Sequence, residues 1–206
     1  MAETEEKPKG PYFHELKDEQ VREQLLKWWQ SISEVRKRGE RDKPRDVGGR
    51  GERAELRRAE TPMEILPAKA FHRLCWILPW WANKDDNLLA LAIVAGILAH
   101  VETAGHGSFP RQLGTPKEGS DKAIFSELRF QQLLSSENHN EFYQRLRRAV
   151  QLVGGTADIC LLADGILHWA KDRQDSSAEK PSQRFRYTWA KDYFTPTLHL
   201  SKEPKP

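Results

Sequence analysis

The chain has 206 residues, 38% of them hydrophobic and 31% charged, a balance that excludes a disordered chain and describes a packed protein with an unusually charged surface. Its net charge of +3, from 33 Lys and Arg against 30 Asp and Glu, is too mild to mark a polyanion binder by itself, but the distribution is uneven. Between Arg36 and Arg58 ten Lys or Arg stand against five acids, a local excess that would attract a polyanion.

The N-terminus, Met1 to Glu6, is acidic and lacks the basic-then-apolar layout of a secretory signal, so a cytoplasmic protein is expected. Val21, Leu25, Trp28, Trp29, Ile32 and Val35 recur at three- and four-residue steps and predict a first helix from Asp18 to about Arg36. Arg38 to Arg50, rich in charge and carrying Pro44, Gly48 and Gly49, reads as a flexible basic loop. Thr61-Pro62-Met63-Glu64 has the form of a capping box with proline at the first helical position, so a helix is expected to start there. Pro67 restarts it, and Phe71, Leu74, Cys75 and Leu78 face inward before Pro79 and the pair Trp80-Trp81.

Asp85 or Asp86 is then expected to cap a nearly all-apolar helix ending near His100, whose lack of a polar stripe places it at the centre of an N-terminal lobe. The uncharged run Leu88 to Val101 is about 14 residues long, short of the ~20 that a bilayer requires, so no membrane span is predicted. Four glycines and two prolines between Gly105 and Ser120 mark the boundary between lobes. Helices resume from Asp121 or Ser126 to Leu134, from Asn140 to Val153 with Phe142, Leu146, Ala149, Val150 and Val153 inward, and after Thr156. The last of these carries the stripe Ile159, Leu162, Ala163, Ile166, Leu167 and Ala170, with Asp158 suited to its dipole. A polar linker, Asp172 to Ser182, precedes a short helix from about Arg184 to Phe194 and a frayed tail. With no strand alternation and no internal repeat, the expected fold class is all-α. Two small helical-bundle lobes, residues 1–105 and 106–206, are joined by the Gly/Pro connection.

Enzyme signatures are missing from the sequence: it has no phosphate-binding GxxxxGK[ST], HExxH, GxSxG or GxGxxG. No histidine is followed by Asp. His100, Glu102 and His106 straddle a helix end and a glycine turn with no second pair of ligands, so no metal site is assigned. Asp158 and Asp164, six apart on a helix, point to different sides and make a poor acid/base pair. Neither catalysis nor a cofactor is expected. Cys75 and Cys160 lie in apolar helical patterns and read as buried free thiols. Trp28, Trp29, Trp76 and Trp169 read as packing residues, with Trp80 and Trp81 left open.

The informative chemistry is cationic. In Arg145-Leu146-Arg147-Arg148 the flanking Arg145 and Arg148 share one edge of the apolar stripe, and Arg147 lies further round. Such a row could track a phosphate backbone, because guanidinium groups fork onto phosphate oxygens and stay charged. Arg111 and Arg129 would extend it, and Arg53, Arg57 and Arg58 form a second group. The alternative is a solvated or ion-paired face, since Glu141 stands four residues before Arg145. That alternative corresponds to a helical adaptor that binds acidic protein partners without nucleic acid.

Several segments in order carry a resemblance. Arg57-Arg58, then Pro67-Ala68-Lys69-Ala70-Phe71-His72-Arg73-Leu74, the apolar helix 88–101, and Ser108-Phe109-Pro110-Arg111-Gln112-Leu113-Gly114 come first. Ser126-Glu127-Leu128-Arg129-Phe130, Arg145 to Arg148 and Trp189-Ala190-Lys191-Asp192-Tyr193-Phe194 follow. Together they resemble CasB proteins, the small subunit of the type I-E CRISPR Cascade complex, over about residues 17 to 195. The charged loop 38–50 departs from that pattern. The resemblance implies a non-catalytic subunit of two helical bundles, present as two copies beside the other Cascade subunits. Its basic groove would hold guide RNA, target DNA and the displaced strand of the R-loop. Carried over by position, Arg57, Arg58, Arg111, Arg129, Arg147 and Arg148 would contact phosphates, with Arg53 and Arg145 as further candidates. This requires guanidinium groups about ninety residues apart to converge in one furrow.

Overall fold

A computed structural model describes residues 12–33, 49–174 and 180–200. The predicted loop 38–50 lies outside these up to residue 48, as do the end of the first predicted helix and the last residues of the tail. Among the described residues the fold is all-α, with one two-residue parallel ladder.

Helix α1 (Glu19–Ser33) buries Val21, Leu25, Trp28, Trp29 and Ile32, the face its periodicity predicts. Helix α2 (Arg50–Arg58), which sequence periodicity did not reveal, buries only Leu56 and leaves its arginines on or near the surface. A single inward residue in nine leaves too little pattern to read. The expected capping box is not completed: Thr61 makes no side-chain cap, its hydroxyl donating to Glu64 instead, and it opens a short 3-10 turn, Pro62–Ile65, rather than an α-helix. Glu64 does reach back: it accepts from the Glu60 amide at 2.9 Å and from the Thr61 hydroxyl at 3.1 Å. The α-helix proper, α3 (Lys69–Ile77), begins two residues after Pro67 and buries Ala70, Phe71 and Leu74.

Trp76 corrects the sequence reading. It stands about 200° round α3 from Leu74, and 86% of it is exposed. Trp28, Trp29, Trp81 and Trp169 are buried. The indole N–H of Trp28 donates to the Ala70 carbonyl at 2.8 Å, and that of Trp29 to the Leu98 carbonyl at 3.1 Å, so each buried donor has a partner.

Helix α4 (Asp85–His100) is the axis of the protein, buried continuously from Ala90 to His100. Asp85 and Asp86 lie in its first turn, with Lys84 at the N-cap position and no side-chain cap, so the acids act on the helix dipole instead. Around α4 pack α1, α2, α3 and the 3-10 turn, together with α7 (His139–Leu152) and α8 (Ile159–Gln174). The close approach of the 3-10 turn and α7 depends on Gly96: a Cβ there would fall 2.6 Å from Ile65 Cδ1 and 2.8 Å from the Tyr143 ring.

The Gly/Pro-rich stretch 105–120 contains a short helix, α5 (Phe109–Gly114), which the glycine and proline content concealed. It packs against α9 (Phe185–Leu200) so closely that a Cβ on Gly114 would lie 1.9 Å from the Tyr193 carbonyl oxygen. α6 (Glu127–Leu134) then leads to α7, whose N-cap Asn138 accepts from the Glu141 amide at 2.9 Å. Between the end of α4 and the start of α8, β1 (Thr103–Ala104) pairs in parallel with β2 (Thr156–Ala157), Thr103 opposite Thr156 and Ala104 opposite Ala157. Two residues per strand are too few to leave alternation in a sequence.

Asp158 and Asp164 act separately. Asp158 accepts from the Leu161 amide at 2.9 Å at the start of α8. Buried Asp164 accepts from the backbone N–H groups of His14, Glu15 and Leu16 at 3.0, 2.8 and 2.7 Å, pinning the segment ahead of α1 onto α8. Cys75 and Cys160 are free and half-buried, and burial pushes the Cys160 thiol up to about 11. Among the described residues no helix is long and apolar enough to cross a membrane.

Candidate nucleic-acid interface

The apolar stripe of α7, through Phe142, Leu146, Ala149 and Val150, locks the helix into the core and decides where its arginines point. Arg145 and Arg148 fall to one side. There they line a cavity of about 500 Å³ between α6 and α7 with Arg129, Gln132 and Gln151, and with Phe125 among its apolar lining. Arg129 and Arg148 are exposed and make no ion pair among the described residues. Arg145 is occupied: its guanidinium donates to the Gln132 carbonyl at 2.6 Å and to Ser136 Oγ at 3.1 Å, and pairs with Glu141 at 3.3 Å. It tethers the end of α6 to α7 and also adds its charge to the cavity wall.

Arg147 turns to the other flank, where it donates to the Ala59 carbonyl at 3.3 Å. Tyr143, one turn earlier on α7, donates to the same oxygen at 3.1 Å. This junction brings α7 against the end of α2. Arg53 spans the C-terminal end of α4, its Nε donating to the Ala99 carbonyl at 2.8 Å and its Nη2 to the Val101 carbonyl at 2.6 Å. A guanidinium there satisfies carbonyls that a helix end leaves without partners and suits the negative end of the dipole. Arg57 pairs with Glu102 at 3.2 Å, both half in solvent, while Arg58 is exposed and donates to the Ala54 carbonyl of its own helix at 3.2 Å.

His100 stands at this end of α4. It is 4% exposed, neither ring nitrogen has a hydrogen-bond partner among the described residues, and its pKa is pressed down to about 4. Burial is the largest cause, followed by the charges of Arg147, Arg57 and Arg53. Guanidinium groups from α2 and α7 therefore act on one ring. With Glu102 engaged by Arg57 and His100 buried, the His100, Glu102 and His106 grouping does not assemble; no cluster of three His, Cys, Asp or Glu suited to a metal occurs among the described residues.

Arg111 sits elsewhere. On α5 it lines a separate cavity of about 610 Å³ with Tyr12, Tyr187 and Lys191, so it does not share the cavity that holds Arg129, Arg145 and Arg148. The polar partners Gln132 and Gln151, and the aromatic residues Tyr12 and Tyr187, carry no motif that would single them out in a sequence.

The family model described as CRISPR-associated protein Cse2 matches residues 52–194. The chain belongs to the Cse2 family. Cse2 proteins are the small subunit of type I-E Cascade, also called CasB, and the family is one of structural Cascade subunits. The matched region runs from within α2 into α9 and contains all eight arginines described above. No curated protein and no solved structure matches the chain.

Proposed function

We propose that this Cse2-family chain is a non-catalytic subunit of a type I-E surveillance complex that holds nucleic-acid backbones while the guide RNA invades its target. Arg129 and Arg148, with Arg57, Arg58, Arg111 and Arg147, contact phosphates of the guide RNA–target DNA assembly and of the displaced strand. Arg53 and Arg145 act behind them, fixing the end of α4 and the α6–α7 corner. The chain works beside the other Cascade subunits and a second copy of itself, in the cytoplasm.

The observation that carries this reading is the placement of cations on both flanks of α7: Arg129 and Arg148 on one, and on the other Arg147, against the end of α2, the helix that carries Arg57. Backbone contacts of this kind read no sequence, and none is required. Exchange of a DNA duplex for a guide–target duplex is close to balanced, so modest backbone contacts can tip it.

The test is a reconstituted complex carrying Arg129→Ala and Arg148→Ala. R-loops should form less completely at matched and mismatched targets alike, while assembly of the complex is retained. R-loop yields equal to wild type across a salt series would defeat the assignment.

A further inference from the structure

The cavity that holds Arg111 lies where α5, α8, α9 and the segment ahead of α1 meet, and its aromatic lining goes beyond backbone electrostatics. Tyr12 is 66% exposed and Tyr187 52% exposed, yet both line the same space of about 610 Å³. That volume lies within the ~300–1,000 Å³ of small-molecule sites. Exposed Arg111 and Lys191 line it as well, with Lys191 one helical turn after Tyr187 on α9.

Tyr12 is held in place. Its ring meets His14 edge-on at 4.8 Å, and His14 stacks flat on buried His168 at 3.8 Å with an 11° tilt. The backbone of His14 is in turn bound to the Asp164 carboxylate. Asp192 also lines the cavity, but its carboxylate accepts from Ser108 Oγ, and two cations share the cavity with this one acid. An aromatic surface fixed beside a net positive charge matches the chemistry of a base with its attached phosphate.

We propose that this cavity is a stacking subsite for single-stranded nucleic acid, in which a base lies against Tyr12 or Tyr187 and its phosphate meets Arg111 and Lys191. The inference rests on the nucleic-acid reading above but adds a different contact, to a base face rather than to phosphate alone. Tyr12 lies outside the residues that match the family.

The experiment uses the full chain and two strands of equal length, one containing a single 2-aminopurine and the other abasic throughout. Wild type should bind the base-bearing strand more tightly and quench its fluorescence. The double variant Tyr12→Ala, Tyr187→Ala should lose roughly tenfold in affinity for that strand, together with the quench, and nothing for the abasic strand. Tyr12→Phe with Tyr187→Phe should restore both. Both tyrosines are solvent-exposed, so these variants should fold.

Wild-type affinity and quench in the alanine variant would overturn the stacking subsite while leaving backbone binding intact. Failure of wild type to bind either strand would overturn the backbone reading along with it. Displacement of the strand by an equal concentration of nucleoside 5′-monophosphate would reassign the cavity to free nucleotides and overturn the proposal.

Discussion

Arg129, Arg145 and Arg148 share one cavity, but the structure gives them different duties, and salt dependence should separate them. Arg129 and Arg148 are exposed and make no ion pair among the described residues, whereas Arg145 is bound to Gln132, Ser136 and Glu141. Each arginine that neutralises a phosphate of a single strand releases counterions and adds about 0.7 to the slope of log affinity against log salt. Removing Arg129 and Arg148 together should flatten that slope by about 1.4 and weaken binding roughly tenfold at 0.15 M salt. Arg145→Ala should change the slope by much less. It should instead lower stability by ~1–2 kcal/mol through its lost hydrogen bonds, since the group is partly solvated. Fluorescence anisotropy of a labelled single strand from 0.05 to 0.5 M salt, paired with urea melts, measures both. Equal slope changes for Arg145→Ala and for the double variant would refute this division of roles.

Acid should destabilise the protein through its buried histidines. His100 and His168 each titrate near 4 in the folded protein against an ordinary 6.5, chiefly because of burial, so the unfolded chain takes up protons that the native state refuses. Stability is then complete above pH 6.5 and declines as pH falls toward 4, by up to ~3 kcal/mol for each ring. Urea melts across that range should show the decline, and His100→Leu should make it shallower. Asp164→Ala should cost ~3 kcal/mol or more, because it strands three backbone donors, and Asp164→Asn should cost less because one oxygen remains. Thermal melts of the two variants check that order. Gly114→Ala should lower the melting temperature sharply, since its Cβ would meet the Tyr193 carbonyl of α9, whereas Gly119→Ala, with open space around it, should be mild apart from its positive φ.

What the sequence determined by itself was the apolar framework. The stripes of α1, α7 and α8, and the unbroken run of α4, specify which faces are inside, because burial of a helical face leaves a period that can be read directly. The same period separates Arg147 from the edge shared by Arg145 and Arg148. Short elements were illegible for the corresponding reason: α2 buries one residue, α5 lies among glycines and prolines, and β1 and β2 have two residues each. The exposure of Trp76 could have been counted from its angle to Leu74, but composition argued for burial.

How the cations are used is set by packing. Ion pairing and hydrogen bonding depend on which carboxylates and carbonyls arrive from distant parts of the chain. Arg57 meets Glu102, Arg53 spans the end of α4, and Arg147 reaches Ala59 because α4 brings α2 and α7 together. Arg111 joins Tyr12, Tyr187 and Lys191 rather than Arg129, because α5 packs on α9. Charge acts through space and is blind to position along the chain, so a list of arginines names candidates, and packing assigns each to a ligand, a helix end or a neighbouring acid.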